Sequence, residues 1–140
     1  MRILGLDIGN RRIGVAMSPE SPAIAVPYMT IEYHDEEDAI RRLRELFVKE
    51  EVKQVVYGSP VAMDGGMGEQ ALIVDRFIGK LSTDSQIEFI ARNERYTSHA
   101  ARKSMFEMGT KRKNRKKLVD RLAAVIILQG YLDSKSSGGS

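Results

Sequence analysis

Two short apolar segments at the start of the chain, separated by one tight turn, constrain its fold most. Residues 1–8 are mostly aliphatic up to Leu6, carry Asp7 beside Gly9, and are followed by a second apolar run at 12–18. Aliphatic runs of this length bounded by glycine are typical of neighbouring β-strands. An ionised carboxylate at the end of a buried strand costs roughly several kcal/mol unless a cation meets it. Asp7 is therefore a candidate metal or phosphate-site residue, with a surface turn beside Gly9 as the alternative.

The rest of the chain alternates between strand-like and helix-like patterns. A third strand is predicted at 26–33, with Pro22 and Pro27 interrupting the connection before it, and Asp35 is placed to cap a helix that ends near Glu50. The later elements are predicted at these places: a strand at 53–58, a helix with Leu72, Ile73, Phe77 and Ile78 as its inner stripe, a strand at 86–91, a helix from Thr97 or Ser98 to Gly109, and a helix at 118–132. Three strands joined by short turns, then strands alternating with helices, predict an α/β domain with a mixed sheet covered by helices.

Composition limits the class of protein. The 140 residues fit one domain, which we place at 1–133, followed by a flexible tail at 134–140. There is no cysteine, which excludes a disulfide framework and a thiolate zinc site. No apolar run approaches the roughly 20 residues of a membrane helix, and the first residues lack a signal-peptide layout. We expect a soluble, cytoplasmic protein with no membrane partner.

The positive charge is concentrated in one segment. Residues 110–117 hold six cations and no anion, and without them the net charge would change from +3 to −3. A compact basic segment on a mildly acidic body favours a phosphate-rich partner, with a solvated loop as the alternative. The candidate nucleic-acid-binding residues in this segment are Lys111, Arg112, Lys113, Arg115 and Lys116.

Two more acids are candidates for the same chemistry as Asp7. Glu94 follows the predicted strand at 86–91, where loops that join strands to helices often present functional groups. Asp120 is predicted one turn into the last helix, on an apolar face. Three carboxylates from these places could hold one or two Mg²⁺ or Mn²⁺ ions, which prefer oxygen ligands and assist phosphodiester cleavage. The alternatives are an ion pair between Glu94 and a neighbouring arginine, and a stabilising interaction of Asp120 with the helix dipole.

Several short motifs occur together in a fixed order along the chain. They are Asp7-Ile8-Gly9 with residues 12–16, Gly58-Ser59-Pro60 with Met63-Asp64-Gly65, Asn93-Glu94-Arg95 with Thr97-Ser98, and Val119-Asp120 with Ala123-Ala124 and 127–129. The ordered set resembles the YqgF (RuvX-like) family over essentially the whole chain apart from its tail. The resemblance implies a ribonuclease H-like fold, in which a five-stranded mixed sheet is flanked by helices.

The resemblance also implies an activity and a set of residues. Members of this family are described as Holliday-junction resolvases and as nucleases that mature the 5′ end of pre-16S ribosomal RNA. It implies that Asp7, Glu94 and Asp120 form a catalytic, metal-holding triad, and that Arg12, Arg95 and Thr97 contact nucleic acid. The expected partner is nucleic acid, with pre-rRNA favoured, branched DNA possible and a ribosomal particle as a further partner, for a monomer or a homodimer.

One position departs from the family pattern. The family usually has an aspartate where this chain has Asn93, which can accept a hydrogen bond but carries no charge. A non-catalytic nucleic-acid-binding protein is therefore one alternative function. A sugar-kinase-like or actin-like phosphotransferase is another, because those folds also begin with an Asp-x-Gly strand. The chain is too short for their two lobes and lacks a second phosphate loop.

Overall fold

In the computed structural model, residues 2–19, 24–59, 68–93 and 112–137 are described, apart from the side chains at 93, 112–116 and 136–137. These residues form five strands and three helices. In chain order they are β1 (Arg2–Ile8), β2 (Arg12–Ser18), β3 (Val26–Glu32), α1 (Glu36–Lys49), β4 (Val52–Ser59), α2 (Glu69–Ser82), β5 (Glu88–Asn93) and α3 (Arg112–Ser137).

The strands form one mixed sheet in the order β3-β2-β1-β4-β5. The first three strands pair antiparallel, whereas β4 is parallel to both β1 and β5. Leu6 aligns with Tyr57, and Tyr57 aligns with Ala91. The carboxyl ends of β1, β4 and β5 therefore lie at the same edge of the sheet, and the predicted mixed five-stranded sheet is confirmed.

Helices cover both faces of the sheet. The larger core contains Leu4, Leu6 and Val15 together with buried residues of α1 and α2, such as Leu43 and Phe77. Helix α1 begins as predicted, because the Asp35 side chain accepts a hydrogen bond from the backbone N–H of Glu37.

The opposite face of the sheet packs on α3 through small residues. Ala16 and Val56 of the sheet pack on Ala124 and Leu128 of the helix. A Cβ on Gly5 would lie 2.7 Å from the Cβ of Leu128, so the helix approaches the sheet closely. Among the helices that the structure describes, none is both long and apolar enough to cross a membrane.

The last helix is longer than predicted. It begins at Arg112 and ends at Ser137, so it includes most of the basic segment and the first residues of the predicted tail. The helix predicted at 118–132 was too short because its prediction followed the apolar residues, whereas Lys and Arg, although charged, are also good helix formers. The predicted helix from Thr97 or Ser98 to Gly109 lies outside the described residues.

Three other predictions need correction. Leu72 was placed on the inner stripe of α2 but is 58% exposed; the buried residues of that helix are Ala71, Val74, Phe77, Ile78 and Leu81. The strand predicted at 86–91 is β5, two residues further along. Pro27 lies inside β3 rather than before it, next to a register shift opposite Val15 and Ala16. Proline is tolerated there because β3 is an edge strand, where an N–H can be spared.

Candidate active site

Three residues form a row across the sheet beneath α3. Asp7 of β1 lies opposite Gly14 of β2, and Gly14 lies opposite Thr30 of β3. Residues directly opposite each other in antiparallel strands share a face of the sheet. The row spans two strand spacings, about 10 Å. It provides the floor of the candidate site.

Gly14 brings α3 onto this row. A Cβ on residue 14 would lie 1.9 Å from the carbonyl oxygen of Asp120 and 2.9 Å from the backbone nitrogen of Arg121. Only a residue without a side chain allows two backbones to approach so closely. The contact places the backbone of Asp120 beside the strand position opposite Asp7, so the fold packs together the helix and the strand that carry two of the three carboxylates predicted from the sequence.

Asp120 is paired with Arg12 and partly buried. The Nε of Arg12 lies 2.7 Å from Oδ2 of Asp120, and their side chains are 35% and 17% exposed. Burial raises the pKa of Asp120 above its ordinary value, although the hydrogen bond and the charge of Arg12 act in the opposite direction. The guanidinium therefore compensates the buried carboxylate only in part, and a further cation at this position would stabilise the ionised form.

The position of Asp120 excludes the helix-dipole alternative. The residue lies more than two turns into α3, which begins at Arg112, and the dipole acts within the first turn of a helix. Ala123 and Ala124, which follow Asp120 on the predicted apolar face, are both fully buried. Asp120 was predicted on this apolar face of α3. It is partly buried because the face packs on the sheet.

The remaining candidate residues lie outside or at the border of the described part. Glu94 directly follows Asn93, the last residue of β5, and lies outside it together with Arg95, Thr97 and Lys111. The other basic candidates lie in the first turns of α3, where the structure describes the helical backbone but not their side chains. They are Arg112, Lys113, Arg115 and Lys116. Within the described ranges, no group of three or more His, Cys, Asp or Glu residues could hold a metal ion.

The donors that the structure describes suit a hard divalent cation. Asp7 and Asp120 supply carboxylate oxygens, which are ligands that Mg²⁺ and Mn²⁺ prefer. The raised pKa of Asp120 indicates that its anionic form lacks full compensation in the protein alone. The residues present therefore fit a divalent-metal site.

Two residues of the site were not singled out from the sequence. Thr30 and Arg121 lie on the β3 side of the row, and the Nε of Arg121 donates a hydrogen bond to Oγ1 of Thr30 over 3.0 Å. The position of Arg121 directly after Asp120 was the one local signal for it. Nothing local marks Thr30, because its place in the row depends on strand pairing.

The sheet order, and a central strand that carries a carboxylate beneath a long final helix, define a ribonuclease H-like α/β protein. The model of the family described as "RuvX: Holliday junction resolvase" matches residues 1–134. The chain therefore belongs to that nuclease family, whose members typically depend on divalent metal ions.

Relatives in two bacteria span nearly the whole chain. A protein of Desulforudis audaxviator is 39% identical over 138 residues, which cover 99% of this chain and 98% of the relative. One of Clostridium acetobutylicum is 42% identical over 134 residues, which cover 96% of this chain and 99% of the relative. Both carry the name "Putative pre-16S rRNA nuclease".

Solved structures share the fold at low sequence identity. RuvC of T. thermophilus, in complex with a Holliday junction substrate, is similar with a TM-score of 0.63 at 14% identity, over 98% of this chain and 96% of that one. The fowlpox virus resolvase, in complex with Holliday junction DNA, has a TM-score of 0.61 at 16% identity, over 96% and 98%. At these identities the likeness establishes the ribonuclease H-like fold alone.

Proposed function

We propose that this protein is a divalent-metal-dependent nuclease that hydrolyses phosphodiester bonds in structured RNA and processes the 5′ end of pre-16S rRNA. The observation that carries the proposal is the contact at Gly14, which places Asp120 beside the strand position opposite Asp7. Relatives of about 40% identity over nearly the full length, named for pre-16S rRNA, support the substrate. We place this activity in the cytoplasm.

Three carboxylates would hold the metal. Asp7 and Asp120 supply two, and we assign the third to Glu94, because β5 ends immediately before it at the same edge of the sheet as β1. When bound, Mg²⁺ or Mn²⁺ supplies Lewis-acid stabilisation of the attacking and leaving oxygens of the phosphodiester. Asn93, beside Glu94, keeps an oxygen that can accept a hydrogen bond, so we assign it to the shape of the turn.

Basic residues would hold the substrate backbone without reading its sequence. Arg12 orients the Asp120 carboxylate through its Nε and keeps its other guanidinium nitrogens for a phosphate. We assign Arg95, Thr97 and the cations at the start of α3 to the flanking phosphates. Contacts of this kind give affinity and position, and they make binding dependent on salt.

Cleavage of a pre-16S rRNA 5′-end transcript in Mg²⁺ and in Mn²⁺ tests the proposal. The wild type should cleave, and Asp7→Asn should not, while most of its RNA affinity remains because the phosphate contacts are intact. Asp75→Asn is the matched control, since Asp75 is exposed on α2 at the other face of the sheet. Equal cleavage by the wild type and Asp7→Asn would contradict the assignment. RNA binding without cleavage would favour a non-catalytic binding protein.

A second candidate substrate is a four-way DNA junction. The description of the matching family, a Holliday junction resolvase, favours it. Resolution needs two active sites on one junction and hence a dimer. Cleavage of a synthetic junction but not of the RNA, by a protein that light scattering shows to be a dimer, would replace the RNA assignment.

A further inference from the structure

The β3 side of the candidate site carries an arginine, Arg121, that pairs with no acidic residue of the described part of the chain. Arg121 directly follows Asp120 and is partly buried. Its Nε donates to Thr30, and in the described part of the chain it makes no ion pair. The nearby Lys117 differs, because its Nζ lies 2.7 Å from Oε1 of Glu32. A partly buried guanidinium beside a neutral hydroxyl is suited to an anionic ligand.

Thr30 holds this arginine in one orientation. Its Oγ1 donates a hydrogen bond to the backbone carbonyl of Lys117 over 2.9 Å and accepts one from Nε of Arg121 over 3.0 Å. The hydroxyl proton of Thr30 is thus used in the hydrogen bond to the helix, and a lone pair of the same oxygen accepts from the guanidinium of Arg121. Nε is occupied, and the two terminal nitrogens of Arg121 make no hydrogen bond to the described residues, so they can bind a second partner. Parallel N–H groups of this kind bind phosphate oxygens in a bidentate way.

The sheet fixes the relation of Arg121 to the carboxylates. Thr30 lies opposite Gly14, which lies opposite Asp7. The backbone nitrogen of Arg121 also lies over Gly14, 2.9 Å from the position of a Cβ there. Two strand spacings, about 10 Å, separate Thr30 from Asp7. A short stretch of sugar–phosphate backbone is long enough to bridge that distance.

We propose that Arg121, positioned by Thr30, binds a backbone phosphate next to the bond that is cleaved. The substrate strand then crosses the row Asp7, Gly14, Thr30 and leaves the site over β3. The ligand is a phosphodiester of the nucleic-acid substrate, so the inference rests on the proposed nuclease function. Arg121 is a binding residue in this arrangement, and Thr30 is a positioning residue.

Salt-dependent binding tests the role of Arg121. Affinity for the precursor RNA is measured over a range of salt concentrations in an Asp7→Asn background, which prevents cleavage. With Arg121→Gln, the slope of log affinity against log salt should become shallower by about 0.7 to 0.9, as expected for the loss of one phosphate contact. Arg76→Gln is the matched control: Arg76 is exposed on α2, and its guanidinium lies 3.7 Å from Oε2 of Glu36. Its slope should equal that of the parent.

Two variants of Thr30 test the positioning role. Thr30→Val keeps a β-branched side chain but removes the hydroxyl, and it should weaken RNA binding several-fold. Thr30→Ser keeps the hydroxyl and should restore affinity. Unfolding curves of all variants would confirm that the fold is intact. In a separate comparison, Arg121→Lys retains the charge, so it should keep the salt slope while binding RNA more weakly. Wild-type affinity in Thr30→Val would overturn the role of Thr30.

The test separates this inference from the nuclease proposal. An unchanged slope in Arg121→Gln, together with wild-type cleavage of the RNA, would overturn the inference and leave the proposed function standing. A shallower slope together with no cleavage by the wild-type protein would support the phosphate contact and refute the nuclease assignment.

Discussion

The carbonyl oxygen of Asp120 lies 1.9 Å from the point that a Cβ of residue 14 would occupy, so α3 rests directly on the backbone of Gly14. Asp120, whose carboxylate is a candidate metal ligand, is therefore positioned by contact between its main chain and the sheet. A carboxylate on a helix held in this way is fixed relative to a carboxylate on the neighbouring strand. Preorganisation of this kind is what a metal-dependent active site needs.

Gly14→Ala should destabilise the protein and displace the site. The new methyl group would meet the backbone oxygen and carbon of Asp120, at 1.9 and 2.2 Å, and neither can move without the helix. We expect the free energy of unfolding, measured in urea, to fall by about 3 kcal/mol, at the upper end of the range for overpacked sites. Cleavage should be lost even where the protein is folded, because Asp120 moves away from Asp7.

Gly79→Ala is the matched control for this change. Gly79 lies in α2, and no heavy atom lies within 4 Å of a Cβ built there. Alanine in a helix is more favourable than glycine by about 0.5–1 kcal/mol, so this variant should be slightly more stable than the wild type. If Gly14→Ala unfolded at the wild-type urea midpoint, the close approach of α3 would be contradicted.

Asp120→Asn should abolish cleavage without loss of stability at neutral pH. Burial raises the pKa of Asp120, so the folded chain holds the proton of this carboxyl more tightly than the unfolded chain does. The contribution of the group to stability is lost as pH rises from its ordinary value through the raised one. The asparagine oxygen can still accept the hydrogen bond from Arg12.

Unfolding measured in a chelator at several pH values checks this prediction. At neutral pH, Asp120→Asn should be at least as stable as the wild type, and its relative advantage should disappear in acid, where the wild-type carboxyl is protonated. Asp75→Asn provides the exposed control on α2. A large loss of stability in Asp120→Asn at neutral pH would show that the pair with Arg12 outweighs the burial of the charge.

Tyr28 and Glu50 should make stability depend on alkaline pH. The hydroxyl of Tyr28 donates to Oε2 of Glu50 over 2.8 Å, and the same carboxylate pairs with Arg2. The hydrogen bond to Glu50, then burial and the charge of Glu50, raise the pKa of Tyr28 above 10.0. Because the raised pKa favours the protonated tyrosine, the stabilisation is complete below the ordinary value and is lost as pH rises through the raised one.

The ultraviolet titration of the tyrosines and unfolding at several pH values measure this effect. Tyr28→Phe should lower the free energy of unfolding at pH 7 by roughly 1 kcal/mol or less, the usual worth of one hydrogen bond. Glu50→Gln should return the pKa of Tyr28 toward its ordinary value. Glu51→Gln, one residue further along and exposed, should leave that pKa unchanged. If the pKa of Tyr28 were the same in Glu50→Gln as in the wild type, the role of Glu50 would be contradicted.

Sequence reasoning found most of the framework but misplaced the ends of β5 and α3. Asp35 was identified as a cap because the signal depends on its own side chain and the next turn of backbone. The buried face of α2 was harder to predict, since Leu72 and Ala71 are adjacent and either could begin an apolar stripe. Helix α3 was predicted too short because only its apolar stretch at 118–132 was taken as helical, whereas helix propensity continues through Lys and Arg.

The sequence by itself determined the alternation of elements, the mixed sheet, the motifs of the family and the presence of Asp7 and Asp120 as unusual carboxylates on apolar elements. These follow from local periodicity and residue chemistry. Only the tertiary structure decided that Gly14 receives the backbone of Asp120, that Arg12 pairs with that carboxylate, and that Thr30 holds Arg121. The physical reason is that each of these contacts joins residues about ninety or more positions apart, and depends on strand register and helix placement that no local pattern encodes.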